Sequence, residues 1–394
     1  MKFSLNQFLM SVSLALDFVE MDIREKSTNH GKRVAYVALR IAQNMNFDDK
    51  DLYDIVSLAI LHDNGICEAS GSLKNEYERK RDHCIIGEEN IVNYPFLKKR
   101  CNIIKYHHEA YDGSGFYKLK GSEIPMISQI IFFTDYIENR FQFDKIGSSN
   151  RENIRNFVKD QSGKLFNPEI CSIFLEISNN ESFVLDCKDS FIDFALNSKM
   201  NKFYSDLSLG EILKVTDVFS RIIDSKSEFT RRHSKGIAEK VAIMADYYKY
   251  DKEQKIKLII AANLHDLGKL AIPNTILDSP KSLTEDEFNI IKSHTYYTRM
   301  ALAQIEGFED ITEWASNHHE KLNGNGYPYG KKGYELDFNS RLMGCVDIYQ
   351  ALTEERPYRK PLKHPIVMNI MNDMVQGGFI DESIVKDIDY VFSK

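Results

Sequence analysis

Apolar residues recur every three or four positions through most of the chain. Leu5, Leu9, Val12, Leu16 and Val19 form one such stripe. Ile212, Val215, Phe219 and Ile222 form another, each 203 residues after its counterpart in the first. Ile237, Val241, Met244 and Tyr248 keep the same spacing, as do Ile256 to Leu264, Phe288 to Leu302 and Leu342 to Leu352. A period near 3.6 predicts amphipathic helices, and strand-like alternation is scarce. Thr284 followed by Glu287 predicts a helix start with a capping box. Ser182 to Leu196 reads equally as short strands or a helix. The expected fold class is all-α: two tandem helical bundles with functional side chains projecting inward.

The repeated stripe sets the domain organisation. The first copy is expected over residues 1–180, a connector over 181–205 and the second copy over 206–394. Gly163 to Ile170 closes the first copy as Gly377 to Glu382 closes the second. The apolar start, Met1 to Phe18, superficially resembles a signal peptide. Asn6 and Gln7 interrupt it and no small-residue cleavage site follows, so it reads as the opening helix of the repeat.

The histidines carry the strongest signal. Ten of the eleven fall into two sets, each completed by aspartates. One set is His30, His62-Asp63, His83, His107-His108 and Asp135. The other is His233, His265-Asp266, His294, His318-His319 and Asp347, displaced by 203, 203, 211, 211 and 212 residues. Such register marks two copies of one unit. Imidazole and carboxylate together hold divalent transition metals. An adjacent His-Asp pair can serve one ion while the aspartate bridges to a second. Two ions roughly 3.5–4 Å apart can activate a water and polarise a phosphoryl oxygen. His233 and Asp347 would complete one ion, and His294, His318 and His319 the other.

Composition changes this picture little. The chain is 43% hydrophobic and 28% charged with a net charge of −7, ordinary for a globular protein. That balance argues against a nucleic-acid polymer as partner, but not against a small anionic ligand. The six cysteines form no CxxC pair and suggest a reducing, cytoplasmic setting. No apolar run reaches the length of a membrane span. Trp314, four residues before His318, is expected in the core on the same helix face. Cys345, two residues before Asp347, reads as a small buried residue.

Four motifs in order then carry a resemblance over residues 206–394: His265-Asp266-Leu267-Gly268-Lys269, His318-His319-Glu320, Gly324-Asn325-Gly326-Tyr327-Pro328 and Arg356-Pro357-Tyr358-Arg359. They resemble the HD-GYP domain, a branch of the HD metal-dependent phosphohydrolases. The resemblance implies a phosphodiesterase acting on a bacterial cyclic dinucleotide, chiefly cyclic di-GMP. It implies two divalent metals, iron or manganese, on His233, His265, Asp266, His294, His318, His319 and Asp347. Asp266 would be catalytic as the bridge. Lys269 would contact the scissile phosphate or aid the leaving group. Tyr327 would contact substrate on a loop shaped by Gly324 and Gly326, and Arg356 and Arg359 would pair with its phosphates. Three-metal members carry a glutamate four residues before the first histidine. Phe229 stands there, with Glu228 one position off, and Lys26 stands there in the first copy, so two metals are expected.

The first copy is an eroded version of the second. All seven ligand types survive as His30, His62, Asp63, His83, His107, His108 and Asp135, which keeps metal binding in play. Ile66 replaces the lysine, Phe116-Tyr117 replaces the Tyr-Pro pair, and Tyr136 to Arg140 contains no RPYR. A regulatory or structural copy is the expectation, with a second active site as the rival. Two other readings of the whole chain stay open: a cyclic-dinucleotide-binding signalling protein with little catalysis, and an HD phosphohydrolase acting on another nucleotide. A homodimer is left open.

Overall fold

The computed structural model describes residues 2–24, 29–70, 75–200, 203–227, 233–279, 281–355 and 360–393. It divides into two compact units, Lys2–Ser205 and Asp206–Lys394. The helices of the first are α1 (Leu5–Arg24), α2 (His30–Asn44), α3 (Asp49–Ile60), α4 (Ile66–Ser70), α5 (Glu76–Ile91), α6 (Met126–Phe141), α7 (Ser148–Gln161), α8 (Pro168–Ile177), α9 (Glu181–Asp186) and α10 (Ile192–Lys199). Those of the second are α11 (Leu209–Ser225), α12 (His233–Tyr247), α13 (Lys252–Leu264), α14 (Asn274–Leu277), α15 (Glu285–Leu302), α16 (Glu309–Ser316), α17 (Phe338–Thr353), α18 (His364–Gln376) and α19 (Glu382–Phe392). Among the described residues the strands are two two-residue pieces, Lys2–Phe3 and Ser205–Asp206. The molecule is all-α.

The stripes read from the sequence become the cores. Leu5, Leu9, Val12 and Leu16 of α1 are buried, and so are Ile212, Val215, Phe219 and Ile222 of α11. α11 packs on α13, which packs on α12 and α16, while α12 also meets α17. The α15 capping box forms as the sequence predicts, with the Thr284 side chain accepting from the Glu287 amide. Asp337 caps α17 at the Ser340 amide and also accepts the Trp314 indole N–H at 2.6 Å. That shared carboxylate ties α16 to α17. Trp314 is buried, but α16 ends at Ser316, so His318 lies in the turn beyond it and not on Trp314's helix face. In the first unit no helix spans the corresponding residues 98–105.

Residues 181–205, expected as a connector, fold largely as α9 and α10 within the first unit and pack on α2. Polar contacts fasten them. Arg33, fully buried, donates Nε to Glu138 Oε1 at 2.6 Å and Nη1 to Asp189 Oδ1 at 2.6 Å. Tyr36 donates to Asp186 at 2.6 Å, and Lys32 pairs with Asp193 at 2.7 Å. A guanidinium held away from water needs such partners. Removing residues 181–205 would take away its Asp189 partner and leave Glu138 in place.

One glycine decides how closely the His-Asp turn approaches its neighbouring helix. A Cβ on Gly268 would lie 1.9 Å from the His294 carbonyl oxygen of α15. The Gly268 amide instead donates to Thr298 Oγ1 at 2.9 Å, and Thr298 in turn donates to the His265 carbonyl at 3.0 Å. Gly65 repeats the approach: a Cβ there would lie 2.4 Å from the His83 carbonyl oxygen. Gly268→Ala should therefore cost about 1–3 kcal/mol through overpacking, seen as a lower melting temperature. Gly210→Ala, on an open face of α11, is the control and should be neutral or mildly stabilising.

Candidate metal centres

In the second unit each candidate ligand sits within a helix or just beyond a helix end. His233 opens α12, His265-Asp266 follow α13, His294 lies within α15, His318-His319 follow α16, and Asp347 lies within α17. His265, His294 and His318 each hold Nδ1 against the carbonyl three residues earlier, at 2.7 Å in all three cases. A carbonyl only accepts, so Nδ1 carries the proton and Nε2 offers its lone pair inward. His62 and His107 repeat the device on Ala59 and Ile104, at 2.8 and 2.6 Å.

The inward atoms form two groups. His233, His265 and Asp347 make one; His294, His318 and His319 make the other; within each group the donor atoms lie within 4.8 Å of one another. Asp266 stands between them. Its Oδ2 is 3.2 Å from His265 Nε2 and its Oδ1 is 3.4 Å from His294 Nε2. His265 Nε2 and Asp266 Oδ1 are buried and make no hydrogen bond. Buried acceptors facing one another lose hydration with nothing in return. A divalent cation in each group would satisfy them, so the donor set fits metal. Lys269 Nζ reaches Asp266 Oδ2 at 2.5 Å.

Electrostatics follows from burial. Burial holds His294 down to about 3 and His319 down to about 4, and His318 well below the usual imidazole range. Burial opposes ionisation of Asp266 and Asp347 too, yet the surrounding cations outweigh it and keep both far below the usual carboxylate range. His233 differs. Burial opposes its charge, but Nε2 lies 3.1 Å from Asp347 and Nδ1 2.9 Å from Glu354, and these carboxylates raise it to about 9.

The glycine-rich loop packs over the second group. Gly324 has φ +80°, where glycine carries no penalty. Gly326 passes so close to the preceding turn that a Cβ would sit 2.3 Å from the Lys321 amide nitrogen. Glu320, buried, gathers the loop by accepting from the Tyr329 and Lys331 amides at 2.8 and 2.9 Å. The Tyr327 ring is thereby set 4.9 Å from that of His319. Sequence reading assigned no role to Glu320 or Glu354. Glu109 offered a signal for the first, since it lies at the same 211-residue offset and holds the Tyr117 and Leu119 amides in the same way. The matching position for Glu354 in the first unit is Gln142, so the repeat gave none. Arg356, Arg359, Phe229, Glu228 and Lys26 lie outside the described residues.

The first unit gathers His30, His62 and Asp135 in one group and His83, His107 and His108 in another. Asp63 Oδ1 lies 3.1 Å from His83 Nε2, and Oδ2 lies 3.4 Å from His62 Nε2. Ile66, at the lysine position, is buried. Beside the groups opens a cleft of about 630 Å³, lined among others by His108, Phe116, Tyr136, Lys80 and Arg140.

Two helical bundles in one chain, each enclosing a buried His-Asp pocket that can bind metal, define the class of protein. The sequence profile of the HD domain matches residues 20–152 and 217–384. The chain belongs to the HD-domain family, as a tandem HD-GYP protein. It is 31% identical over 398 residues to the 3′3′-cGAMP-specific phosphodiesterase 1 of Vibrio cholerae, covering 97% of this chain and 90% of that one. A cyclic di-GMP phosphodiesterase of the same organism is 36% identical over 165 residues, 40% of this chain and 33% of the relative. The crystal structure of a cyclic GMP-AMP-specific phosphodiesterase of V. cholerae superposes with TM-score 0.70, covering 100% of this chain and 98% of that one at 22% identity; it shares the fold. No described helix is long and apolar enough to cross a membrane.

The His233 shift gives a pH dependence with a definite sign. In the metal-free protein, stabilisation from His233 is fully present below its unfolded value of about 6.5 and is lost as pH rises through about 9. A ligand imidazole must shed that proton. Metal affinity at the C-terminal groups should therefore rise roughly tenfold per pH unit from pH 7 to 9 and then level off. Calorimetry in buffers of different ionisation enthalpy should show about one proton released per C-terminal site.

Proposed function

We propose that this chain is a metal-dependent phosphodiesterase that opens a bacterial cyclic dinucleotide at its C-terminal site. The observation that carries the reading is Asp266, buried between two histidine groups with Lys269 at 2.5 Å. When bound, divalent ions of the iron or manganese class neutralise phosphoryl oxygens and acidify water. The chain's own residues do the rest. The three Nδ1 contacts hold imidazoles for the ions, and Asp266 presents one oxygen to each group. Hydrolysis joins a water oxygen to phosphorus and breaks the P–O3′ bond, and the released oxygen takes a proton. Lys269, reaching the site from the turn after Asp266, supplies positive charge at the phosphate and aids that departure. Tyr327 contacts a base, and Arg356 and Arg359 hold the phosphates. The product is the linear dinucleotide.

For the substrate, the mixed ring 3′3′-cGAMP takes precedence over cyclic di-GMP. The relative named for cGAMP matches this chain end to end, whereas the one named for cyclic di-GMP matches 40% of it. The N-terminal unit, with Ile66 for the lysine and Phe116 for the tyrosine, serves regulation.

Anaerobically purified protein supplied with Fe(II) or Mn(II) should hydrolyse 3′3′-cGAMP faster than cyclic di-GMP in a chromatographic assay. Asp266→Ala should lower turnover by at least about 10²–10³-fold, the scale of losing a preorganised electrostatic element. Lys269→Ala should lower it by roughly 10²-fold. Full activity in Asp266→Ala would move the chemistry to the N-terminal unit. No turnover of either ring by protein holding two metals at the C-terminal groups would leave a hydrolase of another nucleotide or a binding protein.

A further inference from the structure

The second histidine group of the N-terminal unit contains a donor that its C-terminal counterpart lacks. Cys84 follows His83 on α5, is fully buried, and belongs to a set of four with His83, His107 and His108 whose donor atoms all lie within 4.8 Å of one another. Cys84 Sγ is 3.7 Å from His83 Nε2, and His83 Nε2 is 3.4 Å from His107 Nε2. A tetrahedral zinc ion with Zn–N bonds of about 2.0–2.1 Å and a Zn–S bond of about 2.3 Å would have edges near 3.4 and 3.6 Å. His108 Nε2 is buried with no hydrogen-bond partner, and His107 is already turned Nε2-inward by its Nδ1 contact with Ile104. The Cys84 thiol occupies itself meanwhile with the Lys80 carbonyl at 3.2 Å. At the matching position of the C-terminal unit stands Thr295, whose hydroxyl is spent on the Lys292 carbonyl at 3.0 Å.

We infer that His83, Cys84, His107 and His108 form a closed zinc-type site, distinct in metal preference from the all-histidine group of the C-terminal unit. A thiolate selects softer ions such as zinc over manganese or iron. Four protein donors leave no open position, the mark of a structural and not a catalytic site. Cys84 thus takes, in this group, the position that a water would otherwise hold; the group of His30, His62 and Asp135 is unaffected. The inference concerns this unit alone and does not depend on the activity proposed for the other.

Cobalt(II) substitution of the full-length protein tests it, read by absorption and not by hydrolysis. The wild type should show a thiolate-to-cobalt charge-transfer band in the near ultraviolet with tetrahedral d–d bands. The charge-transfer band should vanish in Cys84→Ser and in Cys84→Thr, the latter copying the C-terminal unit. Each variant should also retain one zinc fewer per chain than wild type after dialysis against chelator. Absence of the band in wild type, or its survival in either variant, overturns the assignment. If neither variant folds, alkylation of the native wild type decides: Cys84 should take label only after the ion is stripped, and equal labelling with and without zinc overturns the proposal.

Discussion

The structure depends on one repeated contact, an imidazole Nδ1–H donated to a backbone carbonyl three residues earlier. His62, His107, His265, His294 and His318 all make it. The bond fixes the tautomer and the ring direction together, so Nε2 must face inward. Burial penalises the charged imidazolium and adjacent imidazoles add to the penalty, so His294, His318 and His319 are held in their neutral form. The fold therefore maintains a pocket that is poor as an apo-protein core and well matched to cations. Gly268 belongs to the same constraint, because only a residue without Cβ lets the His-Asp turn touch the carbonyl of His294.

The two units keep this frame and differ in what surrounds it. Where the second unit has Gly236, with Gln350 close against it, the first has Arg33 buried against Glu138. Arg33 also pairs with Asp189, in the turn between α9 and α10, and so ties those helices to α2. Lys269 becomes Ile66, trading a charge that reaches the site for a buried side chain. Thr295 becomes Cys84, trading a hydroxyl occupied by its own helix for a soft donor. These changes surround equivalent sets of donors, and under the readings proposed above they separate a unit suited to chemistry from one suited to holding an ion.

How much of this was legible in the sequence depended on whether the cause was local. The stripes of α1 and α11, the Thr284–Glu287 cap of α15 and the register of the histidines are written in short-range spacing, and the helices appear where that spacing put them. Residues 182–196 carried no decisive period, because α9 and α10 are short and held by Arg33, Tyr36 and Lys32 from a distant helix. Trp314 and His318 were placed on one helix by their four-residue spacing, but Asn317 ends α16 before the histidine. Glu354 was invisible because its partner His233 lies 121 residues away.

The sequence by itself determined the all-α class, the duplication and the fourteen side chains able to serve as ligands, because periodicity and residue chemistry are properties of the chain. The residue order and the resemblance also anticipated their division into two groups with Asp266 between them; only the tertiary structure decided the distances within each group, and that Cys84 joins His83, His107 and His108. Neighbours on a helix normally diverge by about 100°, so nothing in the order His83-Cys84 announced a shared target. Convergence of donors from separate helices is a matter of packing, and it becomes visible only when the bundle has closed.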